Sequence, residues 1–311
     1  MTDAPLDVLA VGDVNPDLLV TGDVVPRFGQ AEQDVATRLT LGGSAAIFAA
    51  GAARLGLRAA IAATIGDDDL GRAARALLVD RGVDVGPLRA LPGRTTGLSI
   101  LLQHGDDRTI LTDRGAITEL DVAPVAERVA RGVRHVHLAS VFLVPGLERD
   151  GGALVAAARH AGATVSVDTN YDPAERFVAP PWLRDADVLL PNATEALALA
   201  GRDDGDVLAA ARDLAAAGSL VVVKRGAAGA LAVRGGEVVE ASAPSVDAVD
   251  AVGAGDNFDA GFVHALLGGR PLAEALRLAC ACGSLSLRAA GGIDGQATLQ
   301  EARALSLERA R

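Results

Sequence analysis

Lysine is almost missing from this chain: Lys224 stands alone against 28 arginines in 311 residues. A P-loop needs Gly-x-x-x-x-Gly-Lys-Ser/Thr, and the one lysine follows Val-Val-Val and precedes Arg225, so that motif is excluded. The chain is rich in Ala, Gly and Arg, a bias that strips most arginines of functional weight. Cysteine is scarce too, with only Cys280 and Cys282, two apart in an alanine-rich segment of helical pattern. Helix positions i and i+2 point in different directions, which argues against a disulfide or a shared metal and makes them small core residues. No apolar stretch approaches the roughly 20 residues of a spanning helix. The start, MTDAPLDVLAVGD, lacks a basic region followed by a long apolar one. A cytoplasmic protein is the expectation. Positive charge is in deficit, with a net charge of -11, so there is no footprint for nucleic acid or an anionic membrane. Small-molecule partners are expected. The Gly-x-Gly-x-x-Gly fingerprint is missing after the first apolar run, where Gly12 is followed by Asp-Val-Asn-Pro-Asp. Protein-kinase signatures, internal repeats and low-complexity linkers are missing as well.

What remains is a chain that is 50% hydrophobic and periodic over most of its length. Continuous apolar runs such as Leu6 to Val11 and Leu220 to Val223 read as buried strands, and amphipathic segments between runs read as helices. This alternation predicts an α/β fold, a mainly parallel sheet with helices on both faces, in a single domain over 1–311. Two stretches break the rhythm. Residues 15–40 carry short alternating runs with Gly and Pro, and residues 95–112 flank His104-Gly105-Asp106-Asp107 as a hairpin would. These two β insertions are expected to pair into a small sheet that caps a site.

In such sheets ligands sit beyond the carboxyl ends of the strands. Polar and glycine residues collect there: Asp13 to Asp17, Gly66-Asp67, Ser140, Asp168 to Asn170, Asn192, Lys224 to Gly229 and Asp250 to Asp256. The last is the most informative. A strand is expected over 243–249, then Asp250-Ala251-Val252-Gly253-Ala254-Gly255-Asp256 leads into an apolar helix. Small residues before a helix start aim backbone N–H groups and the positive dipole end at one point, which suits an anion. Asp256 beside it suits a base that takes a proton from a hydroxyl attacking a phosphoryl group. An acid in a first helical turn also simply favours the dipole, and both readings stand on local pattern alone.

The segment resembles the second signature of the PfkB, or ribokinase-like, carbohydrate kinases, usually Asp-Thr-x-Gly-Ala-Gly-Asp, with Ala251 in place of Thr. Leu41-Gly42-Gly43-Ser44-Ala45-Ala46 and Ala-Arg-Leu-Gly at 53–56 resemble the first signature, with Ser44 otherwise a helix cap. The resemblance implies a ribokinase-like fold with a β lid from about 15–40 and 95–112. It implies transfer of the ATP γ-phosphoryl group to a hydroxyl of a small sugar or derivative, Asp256 as base and the Gly253-Ala254-Gly255 amides on the transferred group. Asn15 and Asp17 resemble the substrate-binding segment, with Asp17 accepting from sugar hydroxyls; Gly42, Gly43, Asp168 and Asn170 join them. Ile47 stands where the family usually has an Asn that reaches substrate, so that contact changes. Asn192 and Glu195 match an Asn-x-x-Glu motif that orders Mg²⁺, its waters and the nucleotide, although the same residues spell a capping box. Lys224, Gly226 and Gly229 match the glycine segment beside the nucleotide. Backbone at Asp250, Val252, Ala290 and Gly292 matches a monovalent-cation site, possible ion K⁺. Arg108 and Arg114 flank the second insertion, where an anionic part of a substrate could meet them. A homodimer through the lid is also implied. The alternatives are a nucleoside kinase of the same family and a non-catalytic binding or regulatory member.

Overall fold

The computed structural model describes residues 6–30, 32–104 and 107–308. The chain runs β1 (Leu6–Val11), β2 (Asn15–Gly22), β3 (Val35–Gly42), α1 (Ser44–Arg54), β4 (Ala59–Ala62), β5 (Thr64–Gly66) and α2 (Asp69–Asp80). It continues through β6 (Arg89–Leu91), β7 (Thr96–His104), β8 (Asp107–Gly115), α3 (Val122–Ala130), β9 (Val133–Ala139), α4 (Pro145–His160) and β10 (Thr164–Asp168). Then come β11 (Val188–Leu189), α5 (Ala193–Leu199), α6 (Val207–Ala215), β12 (Leu220–Lys224), β13 (Ala230–Arg234), β14 (Glu237–Ala241), α7 (Ala254–Leu267), α8 (Leu272–Ser286) and α9 (Leu299–Glu308).

The main sheet has eight strands in the order β14-β13-β12-β11-β10-β9-β1-β4. From β4 to β12 neighbouring strands are parallel, and β13 and β14 add an antiparallel edge. Strand alternation divides the core into two layers. Val8, Ala10 and Val222 point to a layer with α1, α7 and α8, while Leu9, Val11, Val221 and Val223 point to one with α3, α4, α5 and α6. Continuous apolar strands follow because both faces are covered. Phe48 of α1 stacks on His137 of β9, ring centroids 3.8 Å apart. His135 and His137 are buried and satisfied by Ser166, at 2.7 and 2.8 Å. Cys280 and Cys282 are free, buried residues of α8.

The two insertions pair as expected. β3-β2-β7-β8 form a separate four-stranded sheet in which β2 and β7 run parallel and the outer pairs antiparallel. The turn at Gly105-Asp106 lies outside the described residues.

One expectation changes. Residues 243–249 form no strand: beyond the edge strand β14 they have no neighbouring strand to bond, Pro244 lacks an N–H, and Val249 instead donates to the Leu287 carbonyl. Beyond β4 the chain breaks at Ala63, and β5 leaves the main sheet to pair with β6. Helix α4 begins at Pro145, a residue pre-organised for the first helical turn. Among the described residues no helix is long and apolar enough to cross a membrane.

Candidate active site

The switch in strand order lies at β1, flanked by β4 and β9, and a cavity of about 500 Å³ opens beyond the carboxyl ends of the strands there. Asp13 after β1, Ser140 after β9, Asp168 ending β10, Asn192 after β11 and Lys224 ending β12 all line it. The lid sheet closes the opposite side with Asn15, Asp17 and Ser99. Ala251 to Asp256 form one wall.

Gly253 holds the turn with φ 70°, a left-handed conformation that a side chain would strain; a Cβ there would also meet Gly292 Cα at 2.8 Å. The amides of Ala254, Gly255 and Asp256 begin α7, ahead of the first i→i−4 bond from Asn257 N to Gly253 O at 2.9 Å. The Gly255 and Asp256 amides form the N-terminal donor set of a helix beside the cavity, and the Ala254 amide makes a long bond to the Ala251 carbonyl at 3.4 Å. Asp256 is buried, and burial first, then the charges of Asp168 and Asp13, hold its pKa well above the usual carboxylate range, against the opposing pull of Lys224 and a Ser44 hydrogen bond.

Beneath it, Lys224 Nζ binds Asp168 and sits 3.1 Å from Asp259 Oδ2. Burial alone would favour the neutral amine, but Asp168, Asp259 and Glu195 outweigh it and raise the ammonium's pKa. Asp168, Asp256 and Asp259 each bring one oxygen within 4.8 Å of the others, a spacing a cation could use, and Lys224 already contacts two of the three.

Asp17 and Asn15 are tied together, Asn15 Nδ2 donating to Asp17 Oδ1 at 2.8 Å and to Ser99 Oγ at 3.1 Å. Burial pushes the Asp17 carboxyl up to about 7, with the Asn15 hydrogen bond pulling the other way. Gly42 does not line the cavity but makes room for Asp17: a Cβ on it would fall 1.9 Å from Asp17 Oδ1. Asn170, with φ 55°, accepts the Ser140 amide at 2.7 Å. Ile47 lines the cavity, and its side chain packs on the backbone of Gly253 and Gly292, 3.0 and 2.4 Å from where their Cβ atoms would be. It supports the loop apolarly where an amide is usual.

Asn192 and Glu195 form the capping box of α5, with Glu195 Oε2 accepting the Asn192 amide at 2.9 Å. Both also line the cavity, so the two readings hold together. Burial, then the charge of Asp168, pushes Glu195 up to about 7. Gly226 lines the cavity; Gly229 does not, its φ of 88° serving a tight approach to the Ala241 carbonyl. Asp250 ties two loops, accepting from Val252 N at 3.1 Å and Gly291 N at 2.8 Å, while Gly292 O accepts Asn257 Nδ2 at 2.9 Å. Ala290 and Gly292 are not on the cavity wall.

Sequence reasoning missed several participants. Asp259, Asn257, Ser99 and Thr112 carry no motif, although Asp259 lies three residues after Asp256 on one helix face. Ser44 is not the helix cap. Gly43 is, and the Asp13 carboxylate takes the Ala45 amide at 3.1 Å, leaving the Ser44 hydroxyl to Asp256. Gly66 and Asp67 lie off the cavity, Gly66 as the last residue of β5 in the two-stranded sheet and Asp67 just after it.

Comparisons with known proteins identify the family. Residues 6–299 match the pfkB family carbohydrate kinase pattern. The chain belongs to that family. It is a carbohydrate kinase, a phosphotransferase with an alcohol group as acceptor. It is 34% identical over 286 residues to an ATP-dependent ribose-1-phosphate kinase of Halopiger xanaduensis, covering 90% of this chain and 91% of that protein. It is 37% identical over 284 residues to a 1-phosphofructokinase of Rhodobacter capsulatus, with 88% and 85% covered. The fold matches an Arabidopsis thaliana ribokinase complexed with ribose and ATP, TM-score 0.86 at 26% identity, with 97% and 99% of the two chains covered. In this carbohydrate kinase the glycine beside Asp17 gives a direct check. Gly42→Ala should displace the Asp17 carboxylate and raise the acceptor KM by about tenfold or more, the loss of one charge-assisted hydrogen bond, while the ATP KM stays put. Steady-state kinetics with each substrate varied in turn decides it; an unchanged acceptor KM contradicts the assigned contact.

Proposed function

We propose that this carbohydrate kinase transfers the ATP γ-phosphoryl group to a sugar hydroxyl lying against Asp256. The observation that carries the reading is the coincidence, in one cavity, of a buried carboxylate with raised pKa and the donor amides of α7. A raised pKa makes Asp256 a stronger base for the hydroxyl proton once it is ionised. The Ala254, Gly255 and Asp256 amides face the negative charge that grows on the transferred group. Asp17 and Asn15 orient the sugar from the lid side, and closure of the lid sheet would exclude water that could otherwise hydrolyse ATP. The nucleotide would lie by Asn192, Lys224 and Gly226, the far part of the same cavity wall. The Arabidopsis ribokinase named with ATP supports this choice of nucleotide.

Mg²⁺ fits the donor set. Glu195 uses Oε2 in its capping box, leaving Oε1 for a metal-bound water, and hard carboxylate oxygens suit an ion that keeps its waters. Such an ion would offset phosphate charge; Glu195 and Asn192 would hold it through water.

The same proposal includes a cytoplasmic homodimer joined through the lid. Leu39, Leu18, Ile100 and Leu111 form one row across all four lid strands, away from the cavity-lining Asp17 and Ser99, and Leu39 and Leu111 are 44% and 54% exposed. Leu111→Arg should convert dimer to monomer in sedimentation experiments; a monomeric wild type would refute the pairing. For the chemistry, Asp256→Asn should bind ATP and acceptor nearly normally yet lose turnover by about 10²–10⁴-fold, the range for removal of a general base. Retention of more than about a tenth of wild-type kcat would remove Asp256 from the role.

A further inference from the structure

The cavity face of the lid carries a cation, Arg114, that has no part in the proposed transfer step. On β8 the residues Arg108, Ile110, Thr112 and Arg114 alternate onto the cavity, while Asp113 lies on the other face and accepts the Gly115 amide at 3.1 Å. The cavity holds three cations. Lys224 is bound by Asp168 and Asp259, and Arg108 stands 3.7 Å from Asp250. Arg114, among the described residues, has no ion-pair carboxylate. Its position relative to the acceptor contacts is fixed by register. A polar line runs from Asp17 through Asn15 to Ser99 Oγ and on to Thr112 Oγ1 at 3.2 Å, crossing from β2 through β7 to β8. Arg114 is the next cavity-facing residue on that strand, about 7 Å beyond Thr112. On β7 the residue opposite it is Gly97, between the pairs Leu98↔Asp113 and Thr96↔Gly115, so no β7 side chain stands at that level.

We propose that the acceptor is an anionic sugar, whose phosphate or carboxylate is bound by the Arg114 guanidinium while a hydroxyl at its other end lies against Asp256. A neutral sugar would gain little from that cation. An anion gains a charge-assisted, bidentate partner, and it needs one in a cavity also walled by Asp13, Asp17, Asp168, Glu195 and Asp256. This inference rests on the sugar-kinase reading, extending it to the charge of the acceptor.

The test compares fructose, fructose 1-phosphate and 2-keto-3-deoxygluconate as acceptors for wild type, Arg114→Gln and Arg114→Lys. Wild type should prefer one of the two anions over fructose, and which one distinguishes phosphate from carboxylate. In Arg114→Gln the anionic-to-neutral ratio of kcat/KM should fall at least about tenfold, mainly through KM, as expected for loss of a hydrogen bond to a charged group; Arg114→Lys should recover part of it. Preference for fructose, or an equal loss on all three acceptors, overturns the proposal. Calorimetric titration with inorganic phosphate and with gluconate, in the presence of a non-hydrolysable ATP analogue, decides the matter even without turnover. Binding that is weakened by Arg114→Gln supports the subsite, and binding absent or indifferent to the substitution refutes it. Failure of all acceptors to turn over counts against the sugar-kinase reading, not against this arm.

Discussion

One buried ammonium holds together a set of acids that would otherwise repel each other. Asp168 and Asp259 converge on Lys224 with Asp256 and Glu195 close by, and the two ion-paired carboxylates are 2% and 0% exposed. Carboxylates this close and this dry cannot all ionise without a cation among them. Removing one partner from such a buried pair typically costs about 3–5 kcal/mol, because the remaining charge is stranded. The cluster is a local liability that the fold keeps at the ends of its strands, where ligands bind. Burial first, and the charge of Asp168 after it, raise the pKa of Asp256 and of Glu195, while Lys224 pulls both the other way.

Around this centre, backbone geometry sets the positions. Gly253 turns the chain so that the first amides of α7 face the cavity, Asp250 ties that turn to Gly291, and Ile47 packs beneath it. The lid supplies the other half of the site through the register of β2, β7 and β8, which puts Asn15, Asp17, Ser99, Thr112 and Arg114 on one face. A slip of one residue would turn every one of them away.

The reaction was legible where the chemistry is local in sequence. The glycine turn before Asp256, the Asn192 and Glu195 capping box and the strand-end position of Asp168 each declare themselves within a few residues. So did the pairing of the two β insertions, because both interrupt the helix–strand rhythm. Contacts made across the fold were not legible. Asp259 meets Lys224 over 35 residues of separation, and Ser99 meets Thr112 only through strand register. The apolar alternation of residues 243–249 suggested a strand, but strands exist only where a neighbour can bond them, and β14 already forms the edge. Gly42 and Gly229 were selected as ligand-side glycines, whereas a close side chain requires the first and a positive φ the second.

Burial raises the Asp256 pKa and Lys224 restrains that rise, and the pH dependence of kcat/KM tests this balance most directly. Asp256 must be ionised to act, so with its folded pKa raised the rate should fall as pH drops through that value. Lys224 lowers that pKa, so in Lys224→Met the burial and the Asp168 charge are opposed only by the Ser44 hydrogen bond and the acid limb should move to higher pH. A limb that stays where it is while the rate declines equally at every pH would contradict the account.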